Sequence, residues 1–137
     1  MQVLLVGGTG LISTAITRYL VERGDDVTLY NRGRRAADIP QGVTRILGDR
    51  TEYAAFEAQM ADKGPYDAVI DMVAFRSEDV ESAIRAFGGQ VEQYVFCSTV
   101  DVYTKPAGRY PVREDAERQP SPTFTYAFRK AQCERIL

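Results

Sequence analysis

The chain has 137 residues, 45% of them apolar and 26% charged, with a formal net charge of -2 at neutral pH. That length supports one domain with a real core, the even composition excludes a low-complexity or disordered chain, and the weak negative charge gives no general attraction for nucleic acid or an anionic membrane. No histidine is present and the only cysteines are Cys97 and Cys133, which excludes the usual zinc spacings and a disulfide framework; no metal is expected, and a reducing cytoplasm is the expected location.

Residues 2 to 6 form a continuous apolar run, too short for a helix, that leads into Gly7-Gly8-Thr9-Gly10. This predicts a buried parallel strand ending in a tight turn. The run lacks a basic leader and a small-residue cleavage site, so neither a signal peptide nor a membrane span is expected. Leu11, Ile12, Ala15, Ile16, Tyr19 and Leu20 recur at the spacing of an amphipathic helix, which Gly24 stops. Val27 to Tyr30 reads as a second strand, Val43 to Leu47 as a third and Asp67 to Val73 as a fourth, with helices over about 52 to 62 and 77 to 87 between and after the last two. Gly88-Gly89 closes the third helix, Tyr94 to Cys97 forms a fifth strand, Thr104 to Pro122 is a long proline-rich loop, and a last helix starts near Thr123. Strands alternating with helices predict an α/β fold: a doubly wound parallel Rossmann sheet of about five strands, with ligands at the carboxyl ends of the strands.

The glycines at 7, 8 and 10 stand where a strand turns sharply into a helix, where the lack of side chains lets a pyrophosphate approach the backbone and the helix start offers unpaired amides and a positive dipole end. Ser13 occupies the place of a third glycine, small enough for close helix–sheet packing. An acid that selects NAD is expected about 20 residues on. Asn31 stands there instead, followed by Arg32-Gly33-Arg34-Arg35. Guanidinium groups in place of a carboxylate suit a 2′-phosphate, so the cofactor is read as NAD or NADP with a lean towards NADP; a solvated basic turn is the alternative. Asp49 is either an adenine contact or a turn former, and Ala74 leaves room for the cofactor.

Tyr126 and Lys130 lie four residues apart, so on a helix they share a face, which Cys133 and Leu137 continue. A neighbouring ammonium favours a phenolate, which can take a proton while hydride leaves for a cofactor. Phe96 to Tyr103 ends the fifth strand with small hydroxyl side chains, of which Thr99 is the candidate to bond a substrate hydroxyl or carbonyl.

These segments together resemble the extended short-chain dehydrogenase/reductase family, and within it the NAD-dependent epimerase/dehydratase group, over essentially the whole chain. Gly7-x-x-Gly10-x-x-Ser13 is similar to its first motif, Ser98-Thr99-Val100-Asp101-Val102-Tyr103 to its hydroxyl motif, and Tyr126 with Lys130 to its catalytic pair. The resemblance implies that Thr99 orients the substrate, that Tyr126 is the acid/base, and that Lys130 favours the phenolate and binds the nicotinamide ribose. It implies a cofactor-binding set of Gly7, Gly8, Thr9, Gly10, Leu11, Ile12, Asn31, Arg32, Arg34, Asp49, Arg50, Ala74 and Lys130. Dehydrating members carry an Asp-Glu pair where this chain has Val100-Asp101, so epimerisation or reduction is expected rather than loss of water. Thr104 replaces a usual glycine, and Asn31 to Arg34 is like a subgroup some of whose members resemble RNA-binding proteins.

The expectation is therefore one dinucleotide-binding domain over 1–137, ending before the substrate-binding region, with little turnover of its own. Its partner is a small-molecule substrate such as a nucleotide sugar, without membrane or nucleic acid. Tyr94, Val95 and Phe96 form an uncovered strand edge at which a homo-oligomer is expected. The competing expectation is a non-catalytic NAD(P)-responsive module contacting protein or RNA.

Overall fold

A computed structural model describes residues 1–34 and 38–137. Arg35, the last member of the basic run, lies outside the described residues. The chain divides into two compact units, residues 1–73 with 82–97, and residues 74–81 with 98–137.

The first unit is built on strand β1, Gln2–Val6, which is buried from Val3 onward. Its neighbours are β2 (Asp26–Asn31) on one side and β4 (Tyr66–Asp71) on the other; β3 (Thr44–Leu47) and β5 (Val91–Phe96) form the outer strands. All pairings are parallel, in the order β3-β2-β1-β4-β5, the doubly wound topology expected from the sequence. The fourth strand ends at Asp71 and not at Val73, and the fifth starts at Val91, three residues before the apolar run. Polar Glu92 and Gln93 hide its start from a reading based on hydrophobicity alone.

Alternation along β1 divides the core in two. Leu4 and Val6 face a layer with Tyr30, Phe56, Met60, Val69, Ala83, Ala86 and Phe87, supplied in part by α2 (Tyr53–Ala61) and α3 (Ser77–Phe87). Phe56 sits edge-on to both Tyr30 and Phe87, at centroid distances of 5.0 and 5.8 Å. Val3 and Leu5 face Val27, Leu29, Ala68 and Leu20 of α1, Leu11–Glu22. Helix α1 does not bury its most apolar stripe. Ser13, Thr17 and Leu20 point inward, whereas Leu11, Ile12, Ala15 and Tyr19 are exposed. Small hydroxyl residues let the helix approach the sheet, and Thr17 satisfies its buried hydroxyl on the Ser13 carbonyl at 2.8 Å. The helix ends as expected: Gly24, at φ +88°, donates to Val21 and Asp25 donates to Leu20, a Schellman closure.

A charged cluster lies at the carboxyl end of β4. The Asp71 side chain is fully buried and its Oδ2 accepts from Arg50 Nη2 at 2.7 Å and from the Tyr94 hydroxyl at 2.9 Å. Its Oδ1 accepts from the Val73 amide at 3.0 Å. The Arg50 guanidinium lies 4.9 Å from the Phe56 ring centroid. Burial, reinforced by the Asp71 charge, pushes the Tyr94 phenol far above its usual range, so it stays a donor.

The second unit contains a short 3₁₀ turn, Val100–Val102, and α4, Thr125–Ile136. Residues 104 to 122 contain neither helix nor strand, as expected, and Thr104 anchors them by donating its amide to the Glu117 carbonyl and accepting from the Gln119 amide. Helix α4 buries Ala127, Lys130, Ala131 and Cys133. Along the Tyr126-Lys130-Cys133-Leu137 stripe, Lys130 and Cys133 are buried while Tyr126 and Leu137 are exposed.

Removing one partner from a buried ion pair leaves an uncompensated charge. Arg50→Met is expected to destabilise the chain by about 3 kcal/mol in urea denaturation; a loss below about 1 kcal/mol would show that the Asp71 cluster does not hold the sheet end together.

Candidate functional site

The turn after β1 is shaped by the protein's own packing. Gly7 has φ +90°, and a Cβ on it would collide with Val73 Cγ1; a Cβ on Gly8 would collide with Leu29 Cδ2. Packing within the fold therefore also favours glycine at both positions, before any ligand is considered. Gly10 differs. Its φ of -87° and ψ of 175° suit any residue, and a Cβ there meets only Ser13 Oγ, at 3.3 Å.

Ser13 closes the turn. Its Oγ accepts from the Gly10 amide at 2.8 Å and donates to the Gly7 carbonyl at 3.0 Å, one half of a capping box. Expected only to be small, it is a cross-link. The Leu11 and Ile12 amides, at the first turn of α1, have no carbonyl within the helix to bond, and both side chains are exposed. The absence of a side chain at Gly10, next to such amides at a helix start, fits the diphosphate of a dinucleotide.

Beyond β2 and β3, the Asn31 Oδ1 accepts from the Gly33 amide at 2.9 Å. Arg32 and Arg34 are exposed, and Arg32 Nη1 lies 3.8 Å from Asp49 Oδ2. Asp49 is a turn former: its Oδ1 accepts from the Thr51 amide at 3.0 Å and hydroxyl at 2.8 Å. These bonds, helped by Arg32 and Arg34, hold its carboxyl below the usual range. Arg50 is turned inward to Asp71. Its side chain, 5% exposed, is held by that buried carboxylate.

In the second unit the structure brings Ala74 and Lys130 together. Lys130 is 1% exposed, and its Nζ donates to the Ala74 carbonyl at 2.8 Å. Ala74 is itself fully buried, so it serves the lysine through its backbone. Lys130 Nζ also lies 4.8 Å from the Phe75 ring centroid, and Phe75 packs against Tyr126 with centroids 6.4 Å apart. Tyr126 is 43% exposed and its ring is further flanked by Phe124 at 6.3 Å. Thr99 caps the 3₁₀ turn, its Oγ1 accepting from the Asp101 amide at 3.3 Å.

Thr99 also lines an open cleft of about 420 Å³ with Ser98, Val100, Val102, Tyr103, Arg118 and Glu134. Glu134 lies one helical turn beyond Lys130, accepts from the Ser98 hydroxyl and lies 3.5 Å from Arg118 Nη1. One carboxylate thus joins the Ser98-Thr99 segment, the long loop and α4. Sequence reasoning missed Phe75 and Glu134, and gave Ser13 only a packing role. Only Glu134 left a signal, as the next member of the Tyr126-Lys130 series at four-residue spacing.

The sequence model of the NAD dependent epimerase/dehydratase family matches residues 3–88. The chain is 31% identical over 117 residues to the chloroplast stem-loop binding protein of 41 kDa b of Arabidopsis thaliana, an alignment covering 76% of this chain and 30% of that protein. It is 32% identical over 120 residues to the 2'-dehydrokanamycin reductase of Streptomyces kanamyceticus, covering 88% of this chain and 33% of the reductase. The UDP-glucose 4-epimerase of Bifidobacterium longum, solved in complex with NAD+ and UDP, superimposes with a TM-score of 0.81 at 21% identity, over 99% of this chain and 48% of that one. The chain spans about a third of the length of those curated relatives. Matched from the first strand through the glycine turn to the third helix, it belongs to the NAD dependent epimerase/dehydratase family.

Proposed function

We propose that residues 1–137 are the NAD(P)-binding domain of a longer oxidoreductase that acts on a hydroxyl or carbonyl compound, a nucleotide sugar being the leading substrate class, by epimerisation or reduction. The observation that carries this reading is Gly10. Gly7 needs a positive φ and both Gly7 and Gly8 are crowded by neighbouring side chains, whereas Gly10 has angles open to any residue and an added Cβ would press only on Ser13 Oγ, at 3.3 Å, with the amides of Leu11 and Ile12 beside it. A bare backbone next to such amides suits a diphosphate.

Bound there, a nicotinamide dinucleotide supplies the hydride acceptor or donor. The remaining chemistry belongs to the second unit: Thr99 holds the substrate oxygen, Tyr126 takes or returns its proton at the phenolic oxygen, and Lys130 binds the cofactor ribose. Exposed Arg32 and Arg34 beside Asn31, with no acid at that position, favour a 2′-phosphate and hence NADP.

A second reading, a dinucleotide-responsive module that contacts RNA or protein, is favoured by the likeness to a stem-loop binding protein and by the exposed arginines. The two readings differ over Tyr126. An enzyme loses turnover in Tyr126→Phe, while a binding module keeps its RNA affinity.

Gly10→Val is expected to weaken dinucleotide binding at least about 30-fold, a loss of about 2 kcal/mol, with a chain that still unfolds cooperatively on heating, since the added Cβ presses only on Ser13 Oγ. Equal affinity in the two chains would remove the phosphate from this turn. Titration of the wild type with NADPH and NADH is expected to favour NADPH about tenfold through its phosphate-arginine pairs; tighter NADH would reverse the assignment.

Strand β5 pairs with β4 alone among the described residues, and Val95 is 39% exposed on it. An open strand edge templates pairing, so we propose self-association of this chain through β5. Light scattering is expected to show a mass that rises with concentration, and a monomer at millimolar concentration would contradict it.

A further inference from the structure

A buried ammonium is costly unless its donors meet partners, and Lys130 is 1% exposed. The turn from Ala74 to Arg76 supplies two such partners, the Ala74 carbonyl at 2.8 Å from Nζ and the face of Phe75 with its centroid at 4.8 Å. The same Phe75 ring lies 6.4 Å from that of Tyr126, inclined at 49°. One aromatic side chain therefore touches both members of the Tyr126–Lys130 pair.

The turn is itself anchored. Asp79, 3% exposed, accepts through Oδ2 from the amides of Phe75 at 2.7 Å and Arg76 at 2.9 Å. Two backbone donors at the start of α3 are satisfied in this way, and the direction in which Phe75 leaves the backbone is fixed. Phe75 is 44% exposed, so core filling does not account for a large aromatic there. Its contact with an ammonium does, because the ring face carries the negative end of the aromatic quadrupole.

We propose that Phe75 is a positioning residue: its ring holds the Lys130 ammonium and buttresses Tyr126, and Asp79 fixes the turn that carries the ring. The proposal deepens the reading above and rests on it for the roles of Tyr126 and Lys130. Lys130 is then oriented by the chain's own turn before any cofactor arrives, so less side-chain freedom is lost on binding.

The test separates the ring's charge distribution from its bulk. Leucine fills similar space without a quadrupole, whereas tyrosine keeps one. Three isotope-labelled chains of 137 residues are compared by nuclear magnetic resonance: wild type, Phe75→Leu and Phe75→Tyr. The Lys130 ε protons are expected to show an upfield ring-current shift in the wild type and in Phe75→Tyr, and to lose it in Phe75→Leu. Acylation of Lys130 by an amine-reactive ester, read by mass spectrometry against Lys63, is expected to rise about fivefold in Phe75→Leu and to stay within about twofold in Phe75→Tyr, in line with loss or retention of one cation–π contact. The dissociation constant for NADPH is expected to rise about tenfold in Phe75→Leu only. A Phe75→Leu chain with wild-type shift, labelling and affinity would overturn the proposal. Failure of the wild type to bind dinucleotide would instead overturn the reading of the glycine turn, and the shift and labelling comparisons would still decide whether Phe75 holds the lysine.

Discussion

The way out of β1 is the constraint on which the first unit depends. The chain must leave a strand paired on both sides, pass between Val73 and Leu29, and enter α1 within four residues. A side chain at Gly7 would displace Val73 and one at Gly8 would displace the tip of Leu29, and Gly7 also takes a positive φ. Ser13 then locks the reversed chain by bonding backbone at both ends of the turn. A ligand-binding geometry follows from packing requirements: the helix begins where the strand ends, so its first amides stand at the carboxyl edge of the sheet.

Two buried charges organise the rest in the same manner, each within its own unit. Asp71 gathers Arg50, Tyr94 and the Val73 amide at the end of β4, and Lys130 gathers the Ala74 carbonyl and the Phe75 ring. In both cases a charge removed from water is surrounded by groups from distant parts of the sequence, which specifies how those parts meet even where the net contribution to stability is modest. The Asp71 cluster ties the segments after β3 and β4 to β5. The Lys130 cluster ties the start of α3 to α4.

Strand positions, helix positions and topology were legible because buried parallel strands are unbroken apolar runs and glycines punctuate them. The inward face of α1 was not, since hydrophobicity pointed to Leu11, Ile12 and Tyr19 while close helix–sheet approach needs small Ser13 and Thr17. The start of β5 was hidden by Glu92 and Gln93 on an outer strand whose side chains reach solvent. Among candidate site residues, Gly10, Thr99, Tyr126 and Lys130 stood out as motif positions by their spacing, and their roles rest on the proposal above. The ion pair of Arg50 was not legible, because sequence order does not say which way a side chain turns and its partner Asp71 lies 21 residues away. Phe75 was invisible for the same reason: an exposed phenylalanine acquires meaning only when a lysine 55 residues later is found against its face.

The claim at the centre of this account is that the first-turn amides of α1 grip a diphosphate. Mapping backbone amide resonances of the isotope-labelled chain during addition of NADPH tests it most directly. Leu11 and Ile12 are expected to move further than any other amides of the first unit, with Gly24 and Gly42 unchanged; saturable shifts elsewhere that leave Leu11 and Ile12 in place would contradict it.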